Sequence, residues 1–429
     1  MPVICRHFGV CGGCQTQDVA YAEQLDRKRR AVRQLLVAAV GDHAPAVEPV
    51  AGMPAAPDGM PRHFRHKAAF VFAPADARGR GLVMGHYAAG SRRVVAVEEC
   101  PVHSARANRV AFALRDHLAR ARIPAAGPRL DGILRHVVVR TTSDDREAMA
   151  LLVVTRNDRS LRPPLRAFLR SPEAPESLYV TVHDRDDSFM LGERPLHIDG
   201  VTHLRESVAG VAMRLSPSAF FQTNPGAAAV LVGEVVAEAV ATGKRDLRVL
   251  DLYAGSGLFA LPLALAGHRV VAVEEHTESV KDGLANAASN RVPRERLTFV
   301  AARTEAYLRR TTAVPDLVVL DPPRQGCGAA VIGHVFGRLQ PPRVVYVSCN
   351  PEAFAGELPR MLSLDYRVDR VLPVDMFPHT GHIELVATLS TKGDAGLKTR
   401  ATEPPRTRKP GLPGRSEGTR RRPLPRRRG

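Results

Sequence analysis

RVLDLYAGSGLFALPLALAGHRVVAVEE, residues 248–275, is the stretch that decides the fold. Val249–Leu252 reads as a buried strand, because its apolar residues run without interruption and stop at a turn. Gly255 and Gly257 make that turn, where the backbone bends tightly or meets a ligand closely. Leu258 to Leu265 continues as a helix, and Arg269–Glu275 is a second strand that ends in acids. Outward from this unit, AAAVLVGEVVAEAV (227–240) reads as a preceding helix. DLVVLDPPRQG (316–326) and RVVYVSCN (343–350) each carry a further apolar strand. Strand alternating with helix predicts an α/β fold, a Rossmann-like, doubly wound and mostly parallel sheet over residues 216–390.

Such sheets place their chemistry at the carboxyl ends of the strands. A glycine turn with a distal acid usually signals a dinucleotide. In DLYAGSG the acid Asp251 precedes the glycines, which is the form used for S-adenosylmethionine, and Glu274 at the next strand's end suits a ribose diol. Asp321, Pro322 and Pro323 form a rigid turn; an amine-methylating site would continue with an aromatic residue, and Arg324 stands there instead. Cys349 lies just past the run Val344–Val347, and DMFPHTGHIE (375–384) brings His379, His382 and Glu384. A thiol on one loop and a carboxylate on another make a nucleophile and a base. Alone, each has a plainer reading: a lone cysteine is commonly a small buried hydrophobe.

Before residue 216 the pattern differs. KAAFVFA (67–73), GLVMGHY (81–87), RRVVAVEE (92–99), ILRHVVVRT (133–141), AMALLVV (148–154), SLYVTVHD (177–184) and VAMRLSP (211–217) read as strands, so residues 46–215 form a β-rich central, RNA-binding domain. Arg135, His136 and Arg140 in it meet phosphates on this reading; the polar face of a half-exposed sheet would look the same. CRHFGVCGGC sets Cys5, Cys11 and Cys14 in a glycine-rich loop over residues 1–15, a metal half-site for which Cys100 is the fourth ligand. Four thiolates suit zinc or a [4Fe–4S] cluster. Paired CxxC knuckles would favour zinc, and the unpaired spacing favours the cluster. Residues 16–45 read as an amphipathic helix packed on the catalytic domain, with Tyr21, Leu25, Val32, Leu35, Leu36 and Ala39 apolar and a cationic flank at 27–30 near RNA.

Composition narrows the class. Hydrophobic content of 44% and charge of 24% are globular values. The absence of any long apolar run, and of an apolar signal core near Met1, predicts a cytoplasmic protein with no membrane partner. Six cysteines in 429 residues point to metal or catalysis rather than to a disulfide scaffold. From Thr391 onward thirteen basic and three acidic residues supply +10 of the net +17. That Pro-, Gly- and Arg-rich tail, 391–429, predicts disorder and non-specific attraction to nucleic acid phosphates.

Taken in order, the three-Cys loop with Cys100, LRHVVVR, SAFFQTN (218–224), DLYAGSG, DPPRQG, VVYVSCNP and DMFPHTGHIE resemble the S-adenosylmethionine-dependent RNA (uracil-5-)-methyltransferases, which act on tRNA and 23S rRNA. The resemblance covers most of residues 1–390 and is to the compact members that lack the N-terminal OB-like (TRAM) domain. It implies a class I methyltransferase domain and a β-rich domain carrying an iron–sulfur cluster. Cys349 would be the nucleophile and Glu384 the base, while Gln222, Tyr253, Gly255, Glu274 and Asp321 would bind S-adenosylmethionine. Cys5, Cys11, Cys14 and Cys100 would hold the cluster, and 23S rRNA is placed ahead of tRNA as the partner of a monomer. Ala353 and Arg303 depart from the family's usual Thr and Asn or Asp, and Cys327 has no counterpart. Two other classes are weaker. A cytosine-5 or amino-group methyltransferase would have Pro before the thiol, or an aromatic residue in place of Arg324. An iron–sulfur RNA-binding protein would have no need of both Cys349 and Glu384.

Overall fold

The computed structural model describes residues 3–76, 79–127, 130–186, 192 and 194–393; the basic tail from residue 394 lies outside them. The first sheet contains β1 (Lys67–Ala73), β2 (Val83–Tyr87), β3 (Val94–Ala96), β4 (Leu134–Thr141), β5 (Ala148–Val154), β6 (Ser177–Val182) and β7 (Leu196–Gly200). Its order is β3-β2-β1-β4-β5-β6-β7, and only the β5–β6 pairing is parallel. Every residue of β4 and β5 is buried, because both faces are covered. On one face Val137, Val139, Leu152 and their neighbours pack under helices α2 (Ala105–Arg120) and α3 (Arg162–Phe168). On the other, Val138, Met149 and Leu151 join the core of the second sheet.

That double burial corrects two expectations. The stretch read as strands also contains α2, whose buried Val110, Ala111, Leu114 and Leu118 repeat at helical spacing. Arg135, His136 and Arg140 do not face phosphates. Arg135 donates to the carbonyls of His183 (2.6 Å) and Arg185 (2.8 Å), and Arg140 donates to that of Ala219 (2.5 Å). A buried guanidinium is tolerable only with such partners.

After the hairpin β8 (Leu204–Val208) and β9 (Val211–Leu215), helix α4 (Pro225–Ala241) leads into the second sheet. Its strands are β10 (Arg248–Leu252), β11 (Arg269–Glu274), β12 (Leu297–Ala301), β13 (Leu317–Leu320), β14 (Arg343–Ser348), β15 (Tyr366–Val374) and β16 (Glu384–Thr391), in the order β12-β11-β10-β13-β14-β16-β15. β10 to β14 pair in parallel and the β15–β16 hairpin closes the sheet antiparallel. Alternate residues of each strand enter separate cores. Val249, Val319 and Val345 meet α4 and α5 (Ala260–Leu265), while Leu250, Val318 and Val344 meet α8 (Gly328–Ile332) and α9 (Pro351–Ser363). Helices α6 (Thr277–Ser289) and α7 (Thr304–Arg310) complete the crossovers. This is the doubly wound α/β sheet of a class I methyltransferase-like fold.

The N-terminal helix α1 (Tyr21–Val40) lies against α9, and Val32 and Leu36 are buried in the same core. Four of its cationic residues have partners or are buried. Arg27 and Arg30 pair with Glu23 and Asp26 on their own helix, Arg29 holds the Val47 carbonyl, and Lys28 is buried. No described helix is long and apolar enough to cross a membrane.

Candidate active site and cysteine cavity

Three strand ends and one loop converge at the carboxyl edge of the second sheet. β14 pairs with β16 so that Ser348 faces Leu385. Cys349 directly follows Ser348 and Glu384 directly precedes Leu385, so thiol and carboxyl stand at the same end of this strand pair. The turn after Cys349 is tightly made. Asn350 caps α9 by accepting from the N–H of Glu352 (3.2 Å), and its side-chain amide donates to the carbonyl of Arg324 (2.9 Å). The thiol's turn is thereby tied to the loop that carries Asp321 and Arg324.

The electrostatics mark the four side chains as neighbours. Burial, with the carboxylates of Glu384 and Asp321 nearby, pushes the Cys349 thiol up to about 11, and Arg324 opposes them. Glu384 is 2% exposed, and its Oε2 has no hydrogen-bond partner among the described residues. Its carboxyl is pushed up to about 8 by burial and by Asp321, again against Arg324. Burial alone raises Asp321 to about 7. A carboxyl held near neutrality beside a thiol can take and return a proton at physiological pH. Arg324, noted in the sequence only as the residue replacing an aromatic one, is the cation common to the pair.

The loop preceding Glu384 is anchored from far away in the chain. Lys28 on α1 donates to Asp375 Oδ1 (2.6 Å) and to the carbonyls of Phe377 (3.0 Å) and His382 (2.8 Å). Tyr21 donates its hydroxyl proton to Asp375 Oδ2 (2.8 Å) and accepts from the N–H of Met53 (2.8 Å). Asp375 is completely buried, so its charge depends on these partners. His379 is also fully buried, with φ of +66°. It lies between Gln24 and the carbonyl of Pro61 (2.8 Å), and its own carbonyl accepts from Gln15 (2.8 Å) and Thr16 (3.2 Å). His379 therefore positions the loop and is turned away from proton exchange with solvent. Gln24 was not singled out in the sequence and Lys28 entered only as part of the cationic flank at 27–30, yet a signal existed. They fall on the stripe of Tyr21, Val32 and Leu36, where apolar residues belong.

At the neighbouring strand ends, Tyr253 adopts a left-handed φ of +63° and Gly255 one of +54°. The Gly255 N–H donates to Glu274 Oε2 (2.9 Å) and the His276 N–H to Oε1 (2.8 Å), so Glu274 is held against the glycine turn. A Cβ at Gly255 would stand in open space, whereas one at Gly257 would press on Phe299 (3.0 Å) and Leu261 (3.1 Å). The turn thus leaves a cradle on the Gly255 side and packs closed on the Gly257 side. Gln222 lines a crevice with Lys67, Arg140, Glu206 and Phe221. Among the described residues, no hydrogen bond joins it to Tyr253, Gly255 or Glu274.

Cys5, Cys11, Cys14 and Cys100 all line one cavity of about 120 Å³, together with His86, His103 and Arg65. The loop is seated on β2: Gly12 donates to the Tyr87 carbonyl (2.9 Å), and a Cβ there would lie 3.1 Å from that oxygen. The Gly13 N–H points to Cys11 Sγ (3.4 Å). Burial raises the Cys14 thiol to about 12 and that of Cys100 to about 11, and each feels the other thiols. Four convergent thiols with an amide aimed at sulfur fit a metal or a cluster that takes thiolate ligands. Cys327, by contrast, is buried in the core at the start of α8.

Comparison with known proteins adds three observations. Residues 204–392 match the family model described as tRNA (Uracil-5-)-methyltransferase. Uncharacterized RNA methyltransferases of Thermosynechococcus vestitus and Caldanaerobacter subterraneus are 33% and 30% identical, over 89% and 90% of this chain and 82% and 83% of theirs. A Pyrococcus abyssi tRNA (uracil-54, C5)-methyltransferase, solved in complex with S-adenosyl-L-homocysteine, is 27% identical, with a TM-score of 0.70 over 89% of this chain and 86% of that one.

Proposed function

The chain belongs to the tRNA (uracil-5-)-methyltransferase family, and we propose that it methylates carbon 5 of one uridine in RNA through Cys349 and Glu384. The single observation that carries this reading is the neighbouring of the thiol and a buried carboxyl that has an unused acceptor oxygen, at one end of the β14–β16 pair. Carbon 5 of uracil is a poor nucleophile until carbon 6 is saturated. The Cys349 thiolate adds to carbon 6, forming a C–S bond and moving the ring's electrons toward carbon 5 and the carbon-4 oxygen. Bound S-adenosylmethionine supplies the electrophilic methyl group. Glu384 then removes the hydrogen from carbon 5, and elimination breaks the C–S bond and returns the thiolate. Arg324 offsets the two carboxyls that surround the thiol. The target base must be turned out of its stack, at a cost of roughly a few kcal/mol.

Tyr253, Gly255, Glu274 and Asp321 are the residues we assign to S-adenosylmethionine. The cradle beside Gly255 and the carboxylate fixed by its N–H support this. Gln222 belongs to the same set by resemblance. Cys5, Cys11, Cys14 and Cys100 would hold a [4Fe–4S] cluster, with zinc as the alternative, because their thiols share one cavity. The domain limits read from the sequence stand as part of this proposal, including a β-rich domain over 46–215 and a catalytic domain over 216–390. For the substrate, the basic C-terminal sequence supports 23S rRNA, and the likeness to the Pyrococcus abyssi enzyme supports tRNA.

Two experiments test the reading. Mapping 5-methyluridine by mass spectrometry with and without the gene names the RNA, and an unchanged map removes the proposal. RNA carrying 5-fluorouridine, whose fluorine no base can remove, should trap a covalent protein–RNA adduct. Cys349→Ala should form none. An adduct that survives this substitution would place the nucleophile elsewhere.

A further inference from the structure

The cysteine cavity also holds two imidazoles for which the uracil chemistry has no use. His86, on β2, and His103, just before α2, line it with Cys100. One ligand atom from each of the three lies within 4.8 Å of the others. His103 is 4% exposed, and its Nδ1, like Nε2 of His86, is buried with no hydrogen-bond partner among the described residues. A buried polar atom left unpaired destabilises the fold, and a metal ion would supply the missing bond. The rings are held in place: Phe70 stacks on His86 with centroids 4.9 Å apart and meets His103 edge-on at 5.0 Å. The backbone between the ligands is a closed turn, in which His103 N–H donates to the Cys100 carbonyl (3.1 Å) and Asn108 donates its side-chain amide to the same oxygen (3.0 Å).

We infer that the cavity contains a second, mixed metal site, in which Cys100, His86 and His103 bind one zinc ion when no cluster is present. Sharing Cys100 makes the two occupancies mutually exclusive. Tetrahedral zinc, with Zn–N about 2.0–2.1 Å and Zn–S about 2.3 Å, needs ligand atoms about 3.3–3.8 Å apart. The three atoms therefore close by up to about 1.5 Å, a side-chain adjustment. The thiol proton of Cys100 passes to solvent on binding. One thiolate and two neutral imidazoles form a donor set suited to zinc, whereas the full set of thiolates suits a cluster. The site gives the protein a folded, metal-loaded state before the cluster is assembled, and it is independent of the uracil chemistry.

The full chain prepared free of iron, titrated with zinc alone, should bind one equivalent. X-ray absorption of that form should show a mixed shell of nitrogen at about 2.0–2.1 Å and sulfur at about 2.3 Å. His86→Gln and His103→Gln should each weaken zinc binding by at least about tenfold, while Cys5→Ser with Cys11→Ser should leave it unchanged. His86→Gln reconstituted with iron and sulfide should keep its iron–sulfur absorption, so the two sites are read separately. An all-sulfur shell in the wild type would overturn the inference even if the variants fail to fold. So would zinc binding that is lost with Cys5 and Cys11 but kept without His86, or no binding at all.

Discussion

Replacing Glu384 by Gln removes a charge and keeps the shape, so it isolates what the fold spends on holding this carboxyl near Cys349. Burial at 2% exposure, with Asp321 adding to it, lifts the group from its ordinary 4.5 to about 8. The folded-state value lies above the unfolded one. Stability contributed by this carboxyl is therefore fully present below pH about 4.5 and is lost as the pH rises through about 8. Gln loses nothing over that window. The gap, at about 1.4 kcal/mol per pH unit, sets a ceiling of about 5 kcal/mol, and relaxation of the neighbours leaves roughly 2–3 kcal/mol. Urea midpoints of the two proteins should therefore diverge from near equality at pH 5 to a clear advantage for the variant at pH 9. Titrating groups other than the neighbouring Cys349 and Asp321 are common to both and cancel in the difference. The more stable variant should also stall as an adduct with ordinary uridine RNA, because nothing removes the carbon-5 hydrogen. A stability difference that stays constant from pH 5 to pH 9 would refute the buried, strained carboxyl on which the mechanism rests.

The same raised value predicts a rate profile for the step after the thiol has added: breakdown of the pre-formed, methylated adduct should climb about tenfold between pH 7 and pH 9, where an ordinary carboxylate would give a flat line. Lys28→Met leaves the Asp375 carboxylate buried with its cation gone, which should cost about 3–5 kcal/mol in urea unfolding. Adding Asp375→Leu should recover most of that loss, and a cost below about 1 kcal/mol for the single change would show that the pair is no anchor. Asn350→Ala removes the α9 cap and the tie to the Arg324 carbonyl. It should lower stability by about 1 kcal/mol and slow adduct formation with fluorinated RNA, and an unchanged adduct rate would detach the turn's geometry from the thiol's reactivity.

Local pattern was enough for much of this molecule. The strand, glycine turn and helix of 248–275 are legible because buried strands are apolar throughout and turns need glycine, and the parallel sheet follows from their alternation. The residue types of the site were legible too: Cys349 and Asp321 stand where apolar runs end, Glu384 closes a loop rich in proton-exchanging groups, and the clustered cysteines share a glycine-rich loop. What pattern does not carry is distance across the sheet. Lys28 and Asp375 are 347 positions apart, and the sequence shows only a polar residue on an apolar stripe. Arg140 reads as a surface cation until both faces of β4 are seen to be covered.

The sequence by itself determined the fold class, the order of the elements and the chemistry available, since periodicity and residue type are properties of neighbours along the chain. The tertiary structure alone decided which groups meet. It brought Cys349 and Glu384 to the same end of the β14–β16 pair, gave both their raised proton affinities through burial and Asp321, and placed His86 and His103 beside Cys100. Register and burial depend on which surfaces exclude water together, and only the packed chain settles that.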